Sequence, residues 1–458
     1  MRVRRGIDRI LLGLAVLALG TTAAAALSGA IFVHDPSPVV KCDGRYYVFG
    51  TGPGIPILVS DNGFTWRRDG RVFNSIPASV RTLSPKNNGV DVWAPQVIPL
   101  NGEYYLYYAV SSWGSFVSVI GLATNPTLNP NDPRYKWTNR GPVVNSVAGE
   151  DLNAIDPGVL LAPNGKLWLS YGSYHGNIQL VQLNPRTGLR ISPHSKISII
   201  ASHSEASDII YHGGYYYLFV NHGSCCRGPG STYNIRVGRS RKVTGPYLDK
   251  AGVNMAHGGG SLFLGSGGRF IGPGQFGLWN DDGVQKFSCH FEADLDRGGR
   301  PVLAIRPLLW TAAGWPKAGH NVAQGVYQVR AWRTGTVLTI AQNAGSGSVP
   351  SGVRLADYRV RSKQKWTIAP VGGGYYRIAA GQGNLALTAA SGGSVQAEPF
   401  TGAEAQLWKL DELTNGNYRI QSKATRSVLS LTGAWQRPAL ALQAFTGQNT
   451  QWWQIVAP

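Results

Sequence analysis

Residues 205–224 read "EASDIIYHGGYYYLFVNHGS", a short apolar run, a Gly-Gly turn and an aromatic run. That order predicts a β-hairpin. The unit recurs as "DPSPVVKCDGRYYVFGTG" from Asp35, "APQVIPLNGEYYLYYAVSS" from Ala94 and "DPGVLLAPNGKLWLSYGSY" from Asp156. A degenerate fifth copy, "GGGSLFLGSGGRFIGPGQFG", starts at Gly258. The turn glycines Gly44, Gly102, Gly165, Gly213 and Gly268 lie 58, 63, 48 and 55 residues apart. Periods of this length give one small antiparallel sheet per repeat, and radial repetition of such sheets makes a β-propeller. The chain therefore reads as all-β, a five-bladed propeller closing near residue 312. A β-sandwich with similar hairpins is the competing architecture.

The repeat phase gives a reason for acids at strand starts. Asp35 and Asp156 stand nine residues before their turn glycines, and Glu205 stands nine before Gly214. Equivalent positions are equidistant from a propeller axis, so the three carboxylates are expected to meet at one channel mouth. Hydrolysis of a glycosidic bond needs one carboxylic acid and one carboxylate across the bond. A third acid can tune the others, because like charges raise a pKa. Glu205, with its long reach and aromatic blade, is the expected proton donor. A Ca²⁺ site is the competing use of three carboxylates, but no Asp-x-Asp spacing supports it. Trp93 in "DVWAPQV" is the expected sugar-stacking residue, with Tyr174 and His175 behind it. Asp208, three residues past Glu205, either faces away or raises the acid's pKa further.

Composition bounds the setting. "MRVRRGIDR", "ILLGLAVLAL" and "TTAAAALSGA" form the basic, apolar and small-residue regions of an export signal over residues 1–30. Sec export is the default reading and twin-arginine export the weaker one, with an uncleaved anchor as the alternative. The protein is expected to be secreted, with no membrane association after cleavage, and monomeric. The formal charge of +19 is scattered, with no nucleic-acid motif. A cationic secreted surface explains it, and attraction to an acidic matrix such as pectin is the functional alternative. Of four cysteines, adjacent Cys225 and Cys226 are not expected to pair with each other, leaving bridges to Cys42 or Cys289 open.

"HDP", "WAPQV", "NAIDPGV", "WLSYGSY", "YYYLFVN", "CCRGPGSTYNIRVGRSRKVTGPYLDK" and "GPGQ" together resemble glycoside hydrolase family 43 over residues 31–312. The resemblance implies a five-bladed propeller that cleaves arabinan and related pentose polymers with inversion. It implies Asp35 as general base, Glu205 as general acid and Asp156 as pKa tuner and orienter. His34, Trp93, Asn153, Ser173, Tyr174 and Cys226 fall in its motifs as substrate-binding residues. An endo-acting α-1,5-L-arabinanase on arabinan or pectin side chains is the preferred expectation. An exo-acting arabinofuranosidase or β-xylosidase is the enzyme alternative, and a non-catalytic carbohydrate-binding propeller is the alternative of another class. No cofactor is required for the chemistry. The family's cation-holding histidine is replaced by Gln275, which leaves a structural Ca²⁺ or Na⁺ in the channel open.

The pattern changes after a linker at 313–323. "QKW", "QLW" and "QWW" at 364, 406 and 451 recur at intervals of 42 and 45 over residues 324–458. Three such units resemble a ricin-type β-trefoil with tryptophan as core. Sugar-binding repeats usually carry Asp in a Leu-Asp-Val-like stretch. Here the corresponding stretches are Leu338-Thr339-Ile340, Leu385-Ala386-Leu387 and Leu429-Ser430-Leu431. Carbohydrate binding and a structural appendage both remain as readings.

Overall fold

The structure is a computed structural model. It describes residues 27–192, 198–281, 284–341, 351–372, 374–381, 385–413, 416–434 and 438–458. Most of the expected export signal lies outside these residues.

Five antiparallel sheets follow one another along the chain. Each starts with the strand nearest the axis: Val40–Cys42, Asp91–Leu100, Gly158–Leu161, Glu205–His212 and Phe270–Asp281. Alternating Tyr, Val and Ile fill the spaces between blades; Tyr47, Tyr107, Tyr108, Tyr171 and Tyr217 are fully buried. The ring closes without a shared sheet. Residues 28–29 run parallel to the outer strand of blade 1, and Leu303 N–H of blade 5 donates to Ile31 O at 2.8 Å.

Two sequence readings are corrected. The segment from Gly258 is not the hairpin of blade 5. Ser261–Leu264 is the outer strand of blade 4, and Gly268 lies in the connection to the next blade. The inner hairpin of blade 5 pairs Phe270–Asp281 with Val284–Asp294. Its inner strand reads as a loop because it holds Gly272, Pro273, Gly274 and Gly277. A Cβ at Gly274 would meet Tyr233 at 2.7 Å and one at Gly277 would meet Pro38 at 2.7 Å, so close blade packing demands these glycines. Blade 5 also runs past 312. Its outer strand is Pro316–Ala318, inside the expected linker.

The C-terminal twelve strands form one continuous sheet system. Trp366, Trp408 and Trp453 are fully buried, and their indoles donate to Leu338, Leu387 and Leu429 carbonyls at 2.9, 2.7 and 2.8 Å. Gln364, Gln406 and Gln451 donate to Thr339, Thr388 and Ser430 hydroxyls. This threefold match places Leu387-Thr388, not Leu385-Ala386, opposite the other two repeats.

The trefoil docks on the turn ends of blades 1 and 5. Asp281 of blade 5 holds Lys41 of blade 1 at 2.9 Å, Lys286 at 2.9 Å and trefoil Lys409 at 3.2 Å. Lys286 also reaches trefoil Asp411 at 3.3 Å, which Arg419 holds at 2.7 Å. Burial alone would raise the Asp281 carboxyl, but the three lysines hold it well below the usual range. Charges this buried are stable only as a complete set.

Candidate active site

One residue per blade adopts the left-handed conformation where the inner strand begins. They are Asp35, Ala94, Asp156, Ala206 and Gln275, with φ of 43°, 43°, 56°, 51° and 59°. Non-glycine residues pay for this conformation, so its fivefold recurrence reflects the architecture. Four of the backbone N–H groups are accepted by a side chain of the preceding blade. Ala94 donates to Thr51 Oγ1 at 2.8 Å, Ala206 to Asp156 Oδ2 at 3.2 Å and Gln275 to Asn221 Oδ1 at 3.3 Å. Asp35 donates to His290 Nδ1 at 3.1 Å, which closes the ring from blade 5 to blade 1.

This ring refines the expected repeat phase. Asp35 and Asp156 occupy it, but in blade 4 the ring residue is Ala206. Glu205 stands one position earlier, like His34 and Trp93 in their blades. The shared count of nine hid this, because Ala206 stands eight residues before Gly214 and Ala94 eight before Gly102, whereas Asp35 and Asp156 stand nine before Gly44 and Gly165.

The three acids nonetheless interact at one mouth. Burial, then the charges of Glu205 and Asp35, push the Asp156 carboxyl well above the usual range. Burial also raises Glu205, to about 7, although the Tyr233 hydroxyl donates to its Oε1 and partly opposes the rise. Asp35 behaves oppositely. Burial would raise it, but His34, His290 and Thr51 outweigh burial and hold it low. Its Oδ2 accepts from Thr51 Oγ1 at 2.7 Å and from His34 Nδ1 at 2.9 Å. Asp208 is buried elsewhere, accepting from Gln96 Nε2 at 3.4 Å, and burial holds its carboxyl well above the usual range.

The remaining expected residues divide into two groups. Asn153 and Ser173 are buried supports: Asn153 accepts from Ser118 Oγ at 2.7 Å and donates to Ser173 Oγ at 3.0 Å. Trp93 packs against the exposed Trp113 at 5.6 Å between ring centroids, and Tyr174 is 43% exposed, its hydroxyl donating to Gly223 O at 2.6 Å. His175 stacks on Phe116 at 3.8 Å. Both nitrogens of His34 face carboxylates, Asp35 and Glu292. His34 also borders a cleft of about 300 Å³ lined by Phe32, Thr51, Pro53, Arg68 and Arg300.

Cys226 carries a correction. Cys225 and Cys226 are bonded to each other, and Cys42 and Cys289 are free and buried. Cys226 has φ 62°, a left-handed backbone that brings adjacent sulfurs together. Gln275 is buried with Oε1 lacking a hydrogen-bond partner. An unpartnered amide oxygen is a donor of the type Ca²⁺ or Na⁺ takes, so Gln275 fits the cation that the sequence leaves open.

Sequence reasoning missed Thr51, Tyr233, His290 and Glu292. One signal was available for two of them. His290 and Glu292 alternate along the otherwise apolar strand "KFSCHFEAD", which places both on one face.

Comparison with known proteins agrees with this architecture. A family model described as glycosyl hydrolases family 43 matches residues 29–316, and one described as ricin-type beta-trefoil lectin domain-like matches residues 309–394 and 362–443. The chain is 38% identical over 323 residues to the extracellular exo-alpha-(1->5)-L-arabinofuranosidase of Cellvibrio japonicus, covering 67% of this chain and 92% of the relative. It is 35% identical over 294 residues to the extracellular endo-alpha-(1->5)-L-arabinanase 1 of Bacillus subtilis, covering 62% and 87%. The solved alpha-L-arabinanase of Cellvibrio cellulosa superposes with a TM-score of 0.60 at 36% identity, covering 63% of this chain and 95% of that one.

Proposed function

The chain belongs to glycosyl hydrolase family 43 and is a glycosidase; on that premise we propose that it is a secreted, inverting hydrolase of α-1,5-linked L-arabinan, endo-acting by preference. The observation that carries this reading is the opposite treatment of two carboxylates at one mouth. Asp35 is held ionised and Glu205 is pushed up to about 7. An ionised Asp35 accepts a proton from water as the water attacks the anomeric carbon. A protonated Glu205 delivers its proton to the departing glycosidic oxygen. Asp156 accepts from the Ala206 N–H beside Glu205 and so orients the acid, while the charge of Asp35 adds to burial in keeping it protonated. Trp93 and Trp113 offer faces on which sugar rings stack. A cation at Gln275 would be structural; proton transfer runs through carboxylates and water. The extracellular designation of both relatives supports export.

The test combines NMR of the first product's anomeric form with sizing of products from linear arabinan. Inverted configuration and a ladder of oligomers are expected. Retention would overturn the mechanism. Monomer alone would replace endo with exo action, the activity named for the Cellvibrio japonicus relative.

A further inference from the structure

His34 lies between two carboxylates, with Nδ1 2.9 Å from Asp35 Oδ2 and Nε2 3.1 Å from Glu292 Oε1. A neutral imidazole has one N–H and can satisfy only one of them. The second contact would then set a nitrogen lone pair against a carboxylate oxygen. Only the doubly protonated ring fits both.

Glu292 is itself anchored. Its side chain is 3% exposed, and Oε1 also accepts from Cys226 N–H at 3.0 Å. Cys226 is fixed by its bond to Cys225. His290 Nδ1 accepts from the Asp35 N–H, which leaves the His290 proton on Nε2, 3.5 Å from Glu292 Oε1. The two histidine rings stack at 4.3 Å between centroids. One carboxylate thus gathers blade 1, blade 5 and the disulfide loop behind the base.

We propose that Glu292 is a positioning residue for the general base, keeping His34 a cation clamped against Asp35. It acts through His34, which stands between it and Asp35. The inference rests on Asp35 being the base. The charged and titratable groups facing His34 are Asp35 on its own segment, His290 and Glu292 from blade 5, and Asp156 and Glu205 across the channel, with Arg68 and Arg300 in the cleft it borders. Without Glu292 the His34 cation loses one of its two adjacent anions. Asp35 then loses the cation that keeps it ionised in acid.

In the Glu292→Gln variant, the acidic limb of the kcat/KM profile on arabinan is expected to move up by about one pH unit, with kcat reduced about tenfold and KM nearly unchanged. An acidic limb at the wild-type position would overturn the proposal. If this variant does not fold, the wild type decides. Histidine-selective NMR should show His34 doubly protonated well above pH 6.5, the ordinary imidazole value; titration at or below that value overturns the clamp. Near-native turnover in Asp35→Asn would instead sink the base assignment, whereas the His34 titration is read in the wild type, so the two failures separate.

Discussion

Asp35 and Glu205 sit at the same mouth and are both desolvated, yet the protein treats them oppositely. Burial is the largest effect on each and raises both. Asp35 overcomes it through the Thr51 hydroxyl and a histidine cation. Glu205 has the neutral hydroxyl of Tyr233 as its hydrogen-bond partner and the like charge of Asp35 nearby. The role of each acid follows from its partners rather than from its residue type or place in the repeat.

The sharpest way to break this comparison is to remove each acid. Asp35→Asn and Glu205→Gln should each lower kcat on arabinan by about 10²-fold or more; near-native turnover in either would refute its role. A smaller effect comes from Tyr233→Phe. The hydroxyl favours ionised Glu205, so its loss raises that pKa, and the basic limb should move to higher pH while kcat changes only a few-fold. A basic limb that stays in place would remove Tyr233 from the acid's partners.

The smallest effect is on stability, and its sign differs between the two acids. Glu205 has a folded pKa above its unfolded value, so stability falls as pH rises from about 4 through 7. At pH 8 Glu205→Gln should therefore melt about 1–3 °C higher than wild type. Asp35 has a folded pKa below its unfolded value, so it contributes stability above about pH 4 that is lost in acid. Asp35→Asn should melt lower at pH 8. Thermal melts that move both variants the same way would show that burial, not partners, dominates at both sites.

Much of this was legible in the sequence, for definable reasons. Turn glycines and aromatic second strands recur locally, so the blades and the approximate place of the acids could be read. The inner strand of blade 5 could not, because close packing replaces apolar residues with glycine at positions 272, 274 and 277. The one-residue offset of Glu205 was hidden because the spacing from ring residue to turn glycine differs by one between blades. His290 was hidden by distance, since it and Asp35 are 255 residues apart and meet only when the ring closes. The disulfide was misread because pairing of adjacent cysteines depends on a backbone conformation at Cys226.

The buried junction around Asp281 bears on modularity. Ricin-type trefoils invite treatment as interchangeable cassettes, but this one supplies Lys409 and Asp411 to a charge set whose other members, Lys41 and Lys286, belong to the two blades where the ring closes. Cutting the chain at the junction would leave Asp281 without one of its three lysines and Lys286 without one of its two carboxylates, at the turn ends of the two blades where the ring closes. The trefoil is thus a keystone of the catalytic body. A graft onto another propeller would have to carry Asp281, Lys286 and Lys41 with it.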